Sequence, residues 1–410
     1  MDQNNQNAFI GQQSADNLVN AIFLEALKQR VSDMHFEPGE DFFTVRFRID
    51  GLLHPAQKMD KKQQEEIVSR IKILSSLNIT EHRLPQDGYL EYVSGDRTYN
   101  IRVSTLPTLF GEAIVCRIHN REDTLLNLKD LGFDNTQLEE MIKLIASESG
   151  IILATGPTGS GKTNLLYSIL HILDNPDRNI LTVEDPIEYH LPHMRQTQIN
   201  EANGLTFGKV MRSIVRQDPD VVMLGEIRDA ETAQMAAQLS LIGTRVFSTF
   251  HTFDMPGLIV RFKELGIPNS IIAQAIKGVI SARLLRKICT SCKTAYQPTN
   301  EEKLFLGTQG ASVTTLYKGT GCENCKQLGY IGRTGVYEII IVDEDLRASI
   351  MEEKPAVFIN DLLRQKNVKT LRQSAIQKII EGITTIGEML RVLGIPSANL
   401  LVKYGKSRNI

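Results

Sequence analysis

One glycine-rich run in this sequence has the residue types and the spacing of a phosphate-binding loop. Its residues are Gly156, Pro157, Thr158, Gly159, Ser160, Gly161, Lys162 and Thr163. In this G-x-x-x-x-G-K-[ST] pattern, backbone N–H groups surround the phosphates, the lysine reaches the β- and γ-phosphates, and the hydroxyl binds Mg²⁺. An apolar run at 151–154 precedes the loop, and a helix is expected to start near Lys162 with its positive dipole end at the phosphates. The sequence therefore predicts a site for a nucleoside triphosphate and Mg²⁺.

An acidic residue follows a second apolar run, at the position where a parallel strand would end. The run is 221–224, and Glu226 comes two residues later. Open α/β sheets bind ligands at the carboxyl ends of their strands, so we expect Glu226 to contact Mg²⁺ and to activate the attacking water. The alternative is a carboxylate that interacts favourably with a helix N-terminus.

Two more strand-like runs end in polar side chains. The first, 181–183, leads into Glu184 and Asp185, which are expected to take acidic roles at the same edge of the sheet, although Asp185-Pro186 is equally a turn signal. The second, 245–250, ends at His251. A lone histidine is usually structural, but here the imidazole would be placed to hydrogen-bond the γ-phosphate and report its hydrolysis.

Four of the five cysteines form two closely spaced pairs. They are Cys289, Cys292, Cys322 and Cys325, in the pattern CxxC…CxxC. This spacing supplies four thiolates for a tetrahedral ion and favours zinc over disulfides. With all four coordination positions filled by protein, the zinc is expected to be structural. Cys116 lies in a strand pattern and is expected to be a core residue.

The order of helical and strand patterns predicts an α/β protein with six consecutive parts. Alternating strands and helices with apolar strands indicate a mostly parallel sheet around the phosphate loop. The predicted parts are a disordered tail (1–15), an α+β domain (16–120), a linker (121–130), the phosphate-loop core (131–285), a four-cysteine insertion (286–335) and a helical C-terminal region (336–410).

Composition excludes several classes of protein. The 410 residues are 42% hydrophobic and 23% charged, with a formal net charge of -2, which is ordinary for a globular protein and argues against a nucleic-acid partner. No apolar stretch of 18 residues and no leader peptide is apparent, so a cytoplasmic location is expected.

Taken in order, the motifs resemble those of the ATPases of type II secretion and type IV pilus systems. The strings are GPTGSGKT, LTVEDPIEY (that family's Asp box), VVMLGEIRD (its Walker B motif) and FSTFHT (its His box). VSDMHFEP, RFRIDG, RLPQDGYL and RVSTLPT resemble its N-terminal regulatory domain. The cysteines are similar to the metal-binding insertion of the assembly and secretion branch, which retraction-type relatives lack. Asn164 and Phe250 depart from the usual residues, but neither removes a group that catalysis needs.

The resemblance implies a RecA-like core in a homo-hexamer that associates peripherally with the inner membrane. ATP hydrolysis would drive an inner-membrane platform protein that assembles pilin-like subunits. It also implies that Arg102 and Arg117 of the regulatory domain reach bound nucleotide, although both could equally be solvated strand residues. A nucleic-acid translocase, a scaffold that binds ATP without hydrolysing it, and a pilus retraction ATPase are the competing interpretations.

Overall fold

The computed structural model describes residues 15–120, 127–252 and 254–394. The predicted tail at 1–15 lies outside these ranges except for Ala15, and so do residues 121–126 of the predicted linker. The chain divides into two compact units, 1–124 and 125–410. No helix of the described residues is long and apolar enough to cross a membrane.

The amino-terminal unit is a six-stranded antiparallel sheet with two helices. Its elements are α1 (Ala15–Lys28), β1 (Asp33–Pro38), β2 (Phe42–Ile49), β3 (Leu52–Asp60), α2 (Gln64–Leu74), β4 (Gln86–Ser94), β5 (Arg97–Thr108) and β6 (Gly111–Asn120). The strand order is β3-β2-β1-β6-β5-β4. Because side chains alternate along a strand, one face carries apolar residues that pack with α1 and α2 into a single core.

The carboxy-terminal unit is built on a seven-stranded sheet. Its first elements are α3 (Asn135–Ile145), β7 (Gly150–Thr155), α4 (Lys162–Leu173), β8 (Ile180–Glu184), β9 (Arg195–Gln198), α5 (Phe207–Ile214), β10 (Val221–Leu224), α6 (Ala230–Leu241), β11 (Arg245–Phe250), α7 (Met255–Glu264), α8 (Asn269–Ala275) and β12 (Ile276–Ile288). The sheet order is β15-β12-β7-β11-β10-β8-β9, where β15 (Tyr330–Ile341) is the last strand among the described residues. Buried residues from both faces form two cores, as a mostly parallel sheet requires.

The remaining elements surround the cysteines and complete this unit. They are β13 (Lys293–Tyr296), α9 (Asn300–Phe305), β14 (Leu316–Gly319), β15 (Tyr330–Ile341), α10 (Glu344–Met351), α11 (Ala356–Gln365), α12 (Leu371–Ile380) and α13 (Ile386–Leu393). Strands β13 and β14 pair in a small separate sheet. The cysteine-bearing segment shares a core with α12 and α13, through residues such as Phe305, Leu316 and Ile376.

The structure differs from the sequence expectation at two boundaries. The segment 336–341 was expected to belong to a helical region, but it is strand, and β15 pairs antiparallel with β12 in the main sheet. Its apolar, β-branched residues favour that pairing. Within the predicted linker, Leu128 is buried in a core of the carboxy-terminal unit, because its side chain packs with apolar residues there. Strands β1, β3 and β4 were not predicted, and much of β3 is exposed, without the alternation that marks a strand.

Candidate functional site

The glycine-rich loop connects the interior strand β7 to helix α4. Strand β7 lies between β11 and β12 and is buried along its whole length. Gly156 has φ +144°, and a Cβ there would lie 2.7 Å from the Ala282 carbonyl oxygen. Gly161, the residue before α4, has φ +90°, in the left-handed region that favours glycine. These glycines let the backbone form a tight cradle before a helix N-terminus.

Polar groups of this cradle point inward. Lys162 Nζ donates to the carbonyl oxygens of Gly156 and Pro157, at 2.8 and 2.9 Å. Burial lowers the pKa of Lys162 from its ordinary value, the negative charge of Glu226 opposes that effect, and the charge of Arg283 adds to it. Ser160 Oγ is buried and has no hydrogen-bond partner among the described residues. The loop has no room for a Cβ at Gly156, and it contains a lysine and a hydroxyl without a hydrogen-bond partner among the described residues. These features fit the binding of a polyphosphate.

Glu226 follows β10, and the carboxyl ends of β8 and β11, which flank β10 in the sheet, lie on either side of it. The N–H of Gly225 donates to the Val183 carbonyl oxygen of β8 at 2.7 Å, and the N–H of Ile227 donates to the Thr249 carbonyl oxygen of β11 at 3.2 Å. These two bonds fix the backbone on either side of Glu226. The parallel sheet therefore places this carboxylate at its ligand-binding edge.

The Glu226 carboxylate contacts two basic side chains. Arg228 forms an ion pair with Oε1, and His251 Nε2 lies 3.5 Å from Oε2. The hydrogen bond that Arg228 donates to Glu226 raises the pKa of Arg228. Asp229 caps helix α6 through the N–H of Thr232, so Glu226 is not the capping residue of that helix.

Glu184, the last residue of β8, has a different environment. It is 3% exposed. Its Oε1 accepts from the Thr182 hydroxyl at 2.5 Å and from Gln196 Nε2 at 3.2 Å, and its Oε2 accepts from the Tyr167 hydroxyl. Burial raises the pKa of Glu184, and these hydrogen bonds oppose the shift. Asp185, the next residue, is exposed.

The four cysteines meet at one point. The sulfur atoms of Cys289, Cys292, Cys322 and Cys325 all lie within 4.8 Å of one another, and all four thiols are free. Adjacent sulfurs are 3.7 or 3.8 Å apart. A tetrahedral zinc with Zn–S bonds of about 2.3 Å requires sulfurs about 3.8 Å apart. The N–H groups of Cys322 and Gly329 each donate to Cys325 Sγ at 3.2 Å, which favours a thiolate. This donor set fits a structural zinc ion.

Comparison with known proteins identifies the family. A family model described as "Type II/IV secretion system protein" matches residues 10–391. The chain belongs to this family. It is 41% identical over 383 residues to the type IV pilus assembly ATPase PilB of Thermus thermophilus, covering 93% of this chain and 43% of that protein. It is 42% identical over 375 residues to the type II secretion system protein E of Aeromonas hydrophila, covering 92% of this chain and 75% of that protein.

Among solved structures, the fold resembles the Legionella pneumophila ATPase DotB. The TM-score is 0.66 at 21% identity, over 92% of this chain and 95% of that one. The family model and the curated relatives confirm the resemblance to the secretion and pilus ATPase family that the motifs predicted. This chain spans less than half the length of the Thermus protein.

Arg102 and Arg117 lie on neighbouring strands of the amino-terminal unit of this secretion ATPase family member. They face each other across β5 and β6. Arg117 Nε donates to Asp33 Oδ1 at 2.7 Å, and Arg102 lies 3.6 Å from the exposed Asp87. Burial opposes ionisation of Asp33, but the hydrogen bond and charge of Arg117 outweigh it and keep the Asp33 pKa below its ordinary value.

Sequence reasoning missed three polar residues at the site. Arg228, two positions after Glu226, is visible in the motif but was not assigned a role. Arg283 is buried against the loop, with its Nη1 2.8 Å from the position that a Cβ of Gly156 would take. From the sequence alone, Tyr167 would be taken for an ordinary core residue of α4. Its hydrogen bond to Glu184 shows that it also contacts the site. Neither Arg283 nor Tyr167 lies in a recognisable motif, because both reach the site through the fold.

Proposed function

We propose that this chain is an ATPase motor with a RecA-like core that drives assembly of type IV pilus or type II pseudopilus subunits. The observation that carries the proposal is the placement of Lys162 and Glu226 at the carboxyl edge of one parallel sheet, since the loop with Lys162 follows β7 and Glu226 follows β10. The family membership and the names of the relatives supply the biological setting.

In this proposal, the loop from Gly156 to Thr163 binds the phosphates of ATP. Backbone N–H groups and the start of α4 hold the anion, Lys162 turns from the loop carbonyls to the β- and γ-phosphates, and Thr163 ligates Mg²⁺. Mg²⁺ held by Thr163 would neutralise the negative charge that develops on the phosphates during hydrolysis. The unpartnered Ser160 hydroxyl supports the assignment of this cradle.

Glu226 takes the role of general base for the attacking water. Its carboxylate is partly exposed, with a side-chain exposure of 18%, so that a water molecule can reach it. His251, on the neighbouring strand end, senses the γ-phosphate. Glu184 acts as a second acidic residue at the same edge, held by the donors that surround it. The two carboxylates therefore differ in their access to water: Glu226 is partly exposed, whereas Glu184 is buried.

Arg102 and Arg117 supply positive charge to the nucleotide during hydrolysis. Within the loop, Lys162 supplies positive charge to the phosphates. An additional arginine increases the rate of phosphoryl transfer by on the order of 10³-fold or more. The Arg117 side chain is 55% exposed, although its Nε is anchored by Asp33.

The motor acts as a homo-hexamer in the cytoplasm, at the periphery of the inner membrane, on a platform protein. The names of the relatives as pilus assembly and type II secretion proteins support this setting. Zinc bound by the four cysteines stabilises the insertion and takes no part in the chemistry, since four thiolates leave no open position.

The test separates phosphate binding from water activation. Glu226→Gln removes the base and leaves the cradle intact, so we expect ATP affinity to be retained and turnover to fall by about 10²-fold or more. Lys162→Ala is expected to weaken ATP binding as well. Glu139→Gln, on the exposed side of α3, serves as the control and should behave like the wild type.

Wild-type turnover in the Glu226→Gln protein would assign the base to Glu184. A wild-type protein that binds ATP but releases no phosphate would favour a scaffold that binds without hydrolysis. Salt-dependent binding of single-stranded DNA that stimulates turnover would favour a translocase.

A further inference from the structure

The hydroxyl of Tyr167 joins two parts of the ATPase site that are separate in sequence. Tyr167 lies on α4, five residues after Lys162, and its side chain is fully buried. Its hydroxyl donates to Glu184 Oε2. The same oxygen accepts from the backbone N–H groups of Glu188 and Tyr189, at 3.3 and 3.4 Å.

A hydroxyl that only fills a core needs a single partner. This one has three, and all three belong to the segment 184–189, which begins at the end of β8 and contains the exposed Asp185. The rings of Tyr167 and Tyr189 also meet edge to face, with their centroids 5.1 Å apart. The contacts therefore connect the helix that follows the phosphate loop to one acidic segment.

The other oxygen of Glu184 is fixed from the opposite side. Thr182 and Gln196 donate to Oε1, and Gln196 also donates to the Tyr189 carbonyl oxygen at 2.9 Å. With both oxygens held by neutral donors, the carboxylate can keep only one orientation. Tyr167 is the donor among these three that lies on α4.

We propose that Tyr167 is a positioning residue, whose hydroxyl holds the Glu184 carboxylate and the segment 185–189 in register with the phosphate-binding helix. Movement of α4 is thereby transmitted directly to the acidic edge of the sheet. The effect on turnover rests on the proposed ATPase function, whereas the physical connection does not.

The test uses Tyr167→Phe in the full chain, because this change removes the hydroxyl and keeps the ring. We expect amide hydrogen exchange at Glu188 and Tyr189 to become faster, since both lose their acceptor. We expect ATP affinity to stay within about twofold and kcat to fall about tenfold or more, because the cradle is unchanged and the acid is misplaced. The acidic limb of the pH–rate profile should move to higher pH, because the lost hydrogen bond favoured the ionised carboxyl.

The matched control is Tyr296→Phe. Tyr296 also donates to a glutamate, Glu302 at 2.8 Å, but in the cysteine-bearing segment. It should leave the exchange at Glu188 and Tyr189, kcat and the pH profile unchanged. Should Tyr167→Phe fail to fold, Thr182→Val removes the donor to Oε1 with little change of shape, and we expect the same fall in kcat and the same shift of the acidic limb.

Unchanged exchange at Glu188 and Tyr189 in a folded Tyr167→Phe protein would overturn the connection. Wild-type kcat and pH profile in Tyr167→Phe, or in Thr182→Val where that variant replaces it, would overturn the positioning role while leaving the ATPase function intact. Absence of phosphate release by the wild type would overturn the ATPase function, and the exchange measurement would then decide the connection alone.

Discussion

His251 Nε2 lies 3.5 Å from Glu226 Oε2, at the ends of the adjacent parallel strands β11 and β10. The two residues are 25 positions apart in the chain, and the sheet brings them together. Arg228 contacts the other oxygen of the same carboxylate. The candidate base therefore has a basic side chain beside each oxygen, and these two contacts restrain the orientation of the carboxylate.

This arrangement predicts that His251 acts in turnover and contributes little to nucleotide affinity. His251→Ala should lower kcat by about tenfold or more, equivalent to about 1.4 kcal/mol of activation free energy, with ATP affinity within about twofold. Phosphate release and nucleotide titration measure the two effects. His193→Ala, an exposed histidine, is the control. Weaker ATP binding with unchanged kcat in His251→Ala would contradict this prediction, because it would show that the imidazole contributes to binding ATP and not to the hydrolysis step.

The arginines of the amino-terminal unit are predicted to act on nucleotide bound to a neighbouring subunit. Arg102→Ala and Arg117→Ala should reduce turnover far more than ATP binding, and Arg97→Ala, also on β5, should not. Mixing Arg102→Ala chains with Lys162→Ala chains should restore part of the activity, since mixed rings contain interfaces with one intact arginine and one intact loop. Absence of rescue in proven mixed rings would argue for action within one chain, and full activity of both arginine variants would dismiss the role.

Metal analysis of the purified protein should give about one zinc per chain, as four thiolates at tetrahedral spacing require. Replacing Cys289 and Cys322 together with serine should abolish zinc binding and increase hydrogen exchange at 285–335, while ATP still binds. Cys116→Ser, in the core of the other unit, should leave the zinc content unchanged. A metal-free wild-type protein that is folded and fully active would contradict a structural zinc.

Glu388 on α13 is predicted to contribute strongly to stability. Its buried carboxylate accepts from Arg286 Nη2 at 2.8 Å and from Arg391 Nη2 at 2.6 Å. Breaking a buried ion pair from one side costs about 3–5 kcal/mol, so Glu388→Gln should lower the free energy of unfolding by about that amount at pH 7. Glu264→Gln, at the exposed pair with Arg261, should cost less than about 1 kcal/mol. A similar loss in both variants, measured by denaturant unfolding, would contradict the prediction.

The same carboxylate predicts a pH dependence. Burial opposes its ionisation, but hydrogen bonds from Arg391 and Arg286 outweigh burial, so the pKa of Glu388 lies below its ordinary value. A lowered pKa contributes stability above the ordinary glutamate pKa of about 4.3, and this contribution is lost as the pH falls through the folded-state pKa. The stability difference between wild type and Glu388→Gln should therefore shrink as the pH falls below about 4. A difference that is constant between pH 7 and pH 3 would contradict this account.

Residue types and their spacing along the chain were enough to predict the local features of the site. The phosphate loop lies between a buried strand and a helix because its glycines and the flanking apolar runs are contiguous in the chain. The two CxxC pairs predicted a four-sulfur cluster for the same reason, since each pair forms one turn. Runs of apolar residues also placed Glu184, Glu226 and His251 at strand ends, where a parallel sheet brings them to one edge.

The side chains that surround these groups are set by the long-range packing of the fold. Tyr167 reaches Glu184, and Asp33 reaches Arg117 across 84 residues of chain, because strand order and register set those distances. Strand β15 pairs with β12 in the main sheet, although the cysteine-bearing segment separates the two strands in the sequence. A side chain's neighbours in a sheet depend on pairings between distant segments, which hydrophobic periodicity does not encode.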